Sequence, residues 1–368
     1  MAMLGLIEVR RRRLQFFLIG LIVTLISYLV AMINGLGLGL NVLAGSALRS
    51  FNADAIAYAD TSGLSVIRSE LSQATIDAIL ATPAVRDGAA LGYVAANVRT
   101  AAGEIDSAAF LGFDPGTIAE PRVVKGRALS PGETNAMLAD REFLRFSGYQ
   151  LGDTVPVALR LQTHEFLIVG VIEEGYFFFQ PAVYVTRDTW RSLRYGDSPN
   201  APQASVVLLK GSALAGTRGP GYEIVDKDTA FNNIEGVAGQ QSTVSALRAF
   251  GYLIGALVIG VFFYVLTLQK VPHIGVLKAL GASSGYVFRQ LLVQVLAISA
   301  AGVAIALPLA MLTGDAIQRL PDPVPIAFDT RTVVTTAALL LAASIIGAAF
   351  SLRQILRTDP IIALGQQQ

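Results

Sequence analysis

Four charge-free apolar stretches, residues 14–33, 250–268, 291–313 and 333–350, are each long enough as a helix to cross the ~30 Å of bilayer hydrocarbon. The first exceeds the ~7–15 apolar residues of a signal-peptide core and is read as a retained span. The chain between the first two stretches has a different rhythm. Short-range alternation predicts strands at 53–58, 64–68, 92–99, 105–112, 155–161, 165–172, 183–185 and 206–209. Helical spacing predicts short helices at 73–80, stopped by Pro83, and at 140–146 and 187–193. Residues 226–249 predict one helix that runs on into the second span as a stiff link.

Charge sets the orientation. The short basic segments hold Arg10 to Arg13, then Lys270, Lys278 and Arg289, then Arg353 and Arg357, against only Glu8 and Asp359. The long segment 41–245 is net negative. The positive-inside rule therefore places both termini and the 270–285 loop in the cytoplasm and the long domain outside. The fold class that follows is an α-helical membrane protein with four transmembrane helices plus an α+β extracytoplasmic domain inserted between helices 1 and 2. The expected organisation is a basic N-terminus (1–13), helix 1 (14–40), the extracytoplasmic domain with stalk (41–245), helix 2 (246–269), a cytoplasmic coupling-helix loop (270–285), helix 3 (286–314), an external loop (315–330), helix 4 (331–352) and a cytoplasmic tail (353–368).

Composition narrows the chemistry. With 53% hydrophobic and 15% charged residues and a mean hydropathy of +0.55, the only open question is how many spans there are. No basic patch is interleaved with aromatics, which argues against nucleic acid. The chain has no cysteine, and its two histidines, His164 and His273, fall on opposite sides of the membrane, so neither a shared metal nor a catalytic dyad is expected. It carries no HExxH and no phosphate-binding Gly-x-x-x-x-Gly-Lys-Ser/Thr motif. The chain is read as a non-enzyme with no cofactor or metal of its own; any ATP is bound elsewhere. The spans carry almost no ionisable residue, which argues against ion-coupled transport. The run Tyr176-Phe177-Phe178-Phe179 is either an exposed aromatic patch for lipid, substrate or partner, or a set of alternating core rings.

One polar break between apolar runs stands out: Pro272, His273, Ile274, Gly275, Val276, Leu277, Lys278, Ala279, Leu280, Gly281, followed by Ala282 and Ser283. It reads as a short cytoplasmic helix. With the order of one span, a large external domain and three spans, and with the tail Asp359-Pro360-Ile361-Ile362-Ala363-Leu364, the chain resembles the permease subunits of the MacB/FtsX/LolC-type (type VII) ABC transporters. Its N-terminal stretch looks like the HrtB/DevC branch. The family often has Glu or Arg just before the Ile-Gly-Val core, where this chain has Pro272-His273. The resemblance implies that residues 272–281 dock on a cytoplasmic ABC ATPase, present in two copies and holding ATP and Mg, and that the permease is a homodimer in the inner membrane working by mechanotransmission.

The expected cargo is hydrophobic or amphipathic, with haem as the specific candidate from the HrtB likeness. Candidate contacts are Glu8, Tyr28, Met32, Asn34, Tyr252, Phe263 and Tyr264; Tyr and Met can ligate haem iron, and ordinary packing is the competing reading. The alternatives are an FtsX-like transducer that transports nothing and binds an external protein partner, and glycolipid or lipoprotein export of the DevC or LolC kind.

Overall fold

The computed structural model describes residues 13–196, 198–279, 282–320 and 324–356. The chain divides into two compact units, a helical one (residues 1–40 and 241–368) and a mixed one (41–240).

Helix α1 (Arg13–Ser50) contains one non-helical residue, Gly45. In the mixed unit β1 (Ala55–Ala59) and a 3₁₀ turn follow. Helix α2 (Gln73–Leu80) coincides with its sequence prediction; Ser72 caps it by accepting the Thr75 amide at 3.2 Å. Strands β2 (Val85–Arg99), β3 (Ile105–Phe113), β4 (Val123–Gly126) and β5 (Ala136–Asp140) precede α3 (Arg141–Ser147), which ends at Gly148 in the left-handed region. Then come β6 (Thr154–Leu159), β7 (Gln162–Ile172), β8 (Tyr176–Phe177), β9 (Gln180–Thr186), α4 (Arg187–Tyr195), β10 (Val206–Gly211), β11 (Arg218–Gly219), β12 (Tyr222–Asp226) and α5 (Lys227–Asn232). Helices α6 (Val237–Ala279), α7 (Ser284–Ile317) and α8 (Thr330–Leu356) complete the chain.

The strands form one mixed sheet in the order β11-β12-β1-β10-β2-β3-β9-β5-β7-β4, with β6 and β8 paired off that path. The β3–β9 and β5–β7 pairs are parallel and the others antiparallel. Alternate residues of β3 feed opposite cores. Ala109, Leu111 and Phe113 pack with Leu48, Phe51 and Phe231, whereas Ala108 and Phe110 pack with Phe143 and Trp190. Both faces are thus buried there, and the strands read as apolar runs more than as strict alternation. Gly92 and Gly112 are register partners beneath the Trp190 ring, and a Cβ on either would overlap the indole.

Among the described residues, four helices are long and apolar enough to cross a membrane: α1, α6, α7 and α8. Among the described residues, two interior clusters hold the helical unit, one around Ile19, Val23, Ile259, Phe263, Val295 and Ala348, the other around Val30, Ala31, Val303, Leu307, Ala310 and Leu340. Pro308 lies inside α7.

Three expectations need correction. Residues 64–68 form turns, because Gly63 and Leu64 adopt φ +60 and +62 and Ser65 Oγ accepts the Arg68 amide, a local alternative to a ladder. Residues 226–249 are two helices rather than one: Asn233 ends α5, and Gly236 at φ +85 precedes α6. The 270–279 segment is the end of α6 rather than a separate short helix, since Val, Leu, Lys and Ala sustain helix past Pro272. Of the two readings of the aromatic run the core one holds: Phe177 is buried against Phe51, Tyr93 and Phe178, Phe178 is half-buried, and of the run only Phe179 is exposed.

Candidate functional site: a polar node in the helical unit and the end of α6

Asn34 lies on α1 in an apolar setting, 5% exposed. Its Nδ2 donates to the Tyr252 hydroxyl on α6 and to Thr336 Oγ1 on α8, each at 3.0 Å. A buried amide left without such partners would cost several kcal/mol, so the node ties three helices together. Tyr28, Met32 and Tyr252 pack on the cluster around Val30 and Leu340. Four of the sequence candidates, Tyr28, Met32, Asn34 and Tyr252, therefore share one neighbourhood. Phe263 does not; it belongs to the cluster with Ile19 and Ile259. Tyr264 is half-buried and joins neither cluster, and Glu8 falls outside the described residues.

Sequence reading missed Arg248 and Thr336. Arg248 is half-buried in α6 and directs Nη2 at the Asn34 carbonyl over 3.4 Å, while its Nε is buried with no hydrogen-bond partner among the described residues. It therefore qualifies the reading of spans almost free of charge. Gly37 is what admits it, since a Cβ there would overlap the guanidinium. The readable signal was a lone Arg two residues ahead of a charge-free run.

At the other end of α6, residues 272–279 are helical, Val276 is 56% exposed, and nothing stands where a Cβ on Gly275 would sit. Leu280 and Gly281 lie outside the described residues. The next helix restarts at once, with Ser283 Oγ accepting the Tyr286 amide at 3.2 Å.

In the mixed unit, Asp140 is 1% exposed and accepts three amides, from Glu142 at 2.8 Å, Glu174 at 2.6 Å and Gly175 at 2.7 Å. Burial pushes its pKa up, and the amide donors oppose that shift. The turn it holds leads into the β8–β9 hairpin. There Phe178 and Phe179 occupy φ +52 and +62, and their amides donate to the carbonyls of Ala44 and Leu43 at 3.0 and 2.9 Å, beside the break at Gly45.

Residues 245–360 match the family described as FtsX-like permease C-terminal. The chain carries an FtsX-like permease domain. The permease is 26% identical over 67% of its length to a protein named putative hemin transport system permease protein HrtB of Staphylococcus haemolyticus, spanning 67% of that protein. A second HrtB, of Staphylococcus epidermidis, is 30% identical, but the match spans only 41% of that protein. An uncharacterized ABC transporter permease of Mycobacterium tuberculosis is 22% identical over 98% of the permease and 97% of its own chain. Among solved structures, the periplasmic region of MacB from Actinobacillus actinomycetemcomitans covers 50% of the permease and 94% of that chain at 12% identity, with a TM-score of 0.35. The permease is of the ABC-transporter type and is a membrane protein with a large α+β domain between its first two apolar helices.

Proposed function

We propose that this permease is the membrane subunit of an ATP-driven exporter for a hydrophobic or amphipathic molecule, with haem as the specific cargo. The observation that carries the reading is the FtsX-like match over residues 245–360, which includes the end of α6 and the restart at α7. Haem comes from the relatives named as hemin transport permeases. In this reading two copies of the permease pair in the inner membrane with both termini in the cytoplasm. Two copies of a separate ATPase bind ATP and Mg. The end of α6, with residues 272–281, meets the ATPase, and its movement is passed to the extracytoplasmic unit rather than opening an aqueous pore.

Tyr28, Met32, Asn34 and Tyr252 are the proposed cargo neighbourhood. Haem pairs an apolar ring with carboxylates, and Arg248 is the cation of that neighbourhood able to meet one. The test is to reconstitute the permease with its ATPase in proteoliposomes and add haem or lipid-like molecules. The reading expects haem to stimulate ATP hydrolysis. If hydrolysis is indifferent to haem and to every lipid-like compound tried, the export reading fails, and a transducer that moves no cargo takes its place.

A further inference from the structure

Strand β4 ends the sheet. Among the described residues it pairs with β7 alone, so its outer edge carries no strand, and Val124 on it is 46% exposed. Beside that edge, α3 and the turn after it wall a groove of about 780 Å³. Val171 and Leu151 supply apolar lining, and Lys125, Arg141 and Arg145 line it too. Glu173 pairs with Arg141 and Glu142 with Arg145, but the arginine side chains are 68% and 58% exposed. Such surface pairs are weak and exchange readily for a better carboxylate. Lys125 is in no ion pair among the described residues.

A bare sheet edge is a template for another chain, and a single edge lysine is a common way to blunt it. Here three cations stand together around an apolar lining, which suits a guest that is extended, part apolar and acidic. We propose that the groove binds an extended acidic segment of a partner protein, which adds a strand to β4 and sets alternate carboxylates against Lys125, Arg141 and Arg145. An anionic lipid headgroup would use the cations and leave the strand edge unpaired, so the open edge favours the peptide. The inference draws on the mixed unit alone and is independent of the cargo.

The test uses the full chain in nanodiscs and a fluorescent peptide of about ten residues alternating valine and glutamate, followed by anisotropy. Saturable binding is expected. It should weaken about tenfold or more in Lys125→Glu/Arg145→Glu, as charge-assisted contacts turn repulsive. It should vanish when the peptide amides along one edge are N-methylated and survive when those along the other edge are. A lysine version of the peptide should not bind. The Trp190 fluorescence of each variant checks folding, and Lys125→Ala replaces the double variant if that one misfolds. The proposal is overturned if the glutamate peptide does not bind saturably, if charge reversal leaves binding unchanged, if methylation of neither edge abolishes binding, or if phosphatidylglycerol vesicles displace the peptide.

Discussion

The amide of Gly175 donates to Asp140 Oδ2 over 2.7 Å, and that carboxylate holds the turn from which the β8–β9 hairpin reaches the carbonyls of Leu43 and Ala44. One buried side chain on the sheet thus fixes the backbone that satisfies the carbonyls exposed by the break at Gly45. Asp140→Asn keeps the shape but turns an NH₂ toward amides that need an acceptor. We expect it to destabilise the mixed unit by about 2–3 kcal/mol, the cost of a buried unsatisfied group. The sole tryptophan, Trp190, is fully buried in that unit, so the thermal transition of its fluorescence measures the loss in the intact chain.

The β6–β7 turn gives a prediction of opposite sign. Leu161 sits at φ +62 and is fully exposed, so its side chain contributes strain and no packing. Asn is at ease at that position of a two-residue hairpin turn. Leu161→Asn is expected to stabilise the unit by about 0.5–1 kcal/mol, within the ~1–2 kcal/mol that a left-handed residue costs. The same fluorescence transition should move to higher temperature.

Alkali should unfold the mixed unit ahead of the ionisation of its core phenols. Burial raises Tyr58, Tyr176, Tyr184 and Tyr195 above the ordinary value and pushes Tyr93 up to about 12, with the Glu235 carboxylate adding to the shift in Tyr58 and Tyr93. An unfolded tyrosine ionises near pH 10. Stability held by the neutral phenols is therefore full below about pH 10 and is lost as pH rises toward about 12 for Tyr93. The Trp190 transition temperature should stay level from about pH 7 to 9 and fall above about pH 10.

In the helical unit, Asn34→Leu removes a buried amide together with its bonds to Tyr252 and Thr336. Each interhelical bond in a membrane is worth about 0.6 kcal/mol on average, so unfolding in detergent should shift by about 1–2 kcal/mol. Asn34→Asp keeps an acceptor but loses both donated bonds and adds a charge, and should be worse than Leu. If Asn34→Asp is the milder change, the node is not held by donation from Asn34.

Much of this organisation was legible in the chain. The four spans stood out because a charge-free apolar run has few other homes, and α2 because Ser72 and Pro83 bracket it. Less legible was what depends on partners distant in sequence. Strand β5 is five buried residues between β7 and β9, with no alternation of its own. The 64–68 stretch has a strand composition but a serine-bonded turn. The Phe178-Phe179 turn holds aromatic residues in a conformation that sequence assigns to Gly or Asn, because the Leu43 and Ala44 carbonyls hold it there. Of the proposed cargo contacts, four cluster. Arg248 escaped because a lone charge at the margin of a span reads as its boundary.

The claim that the end of α6 couples the permease to the ATPase is tested most directly by Val276→Asp, with Leu277→Asp beside it. Val276 is 56% exposed, so the charge should leave the fold intact. The measurement is haem-stimulated ATP hydrolysis and haem efflux in proteoliposomes holding permease and ATPase. The expected result is loss of stimulation and efflux, with basal hydrolysis retained and the Trp190 transition unchanged. Full coupling in both variants would contradict it.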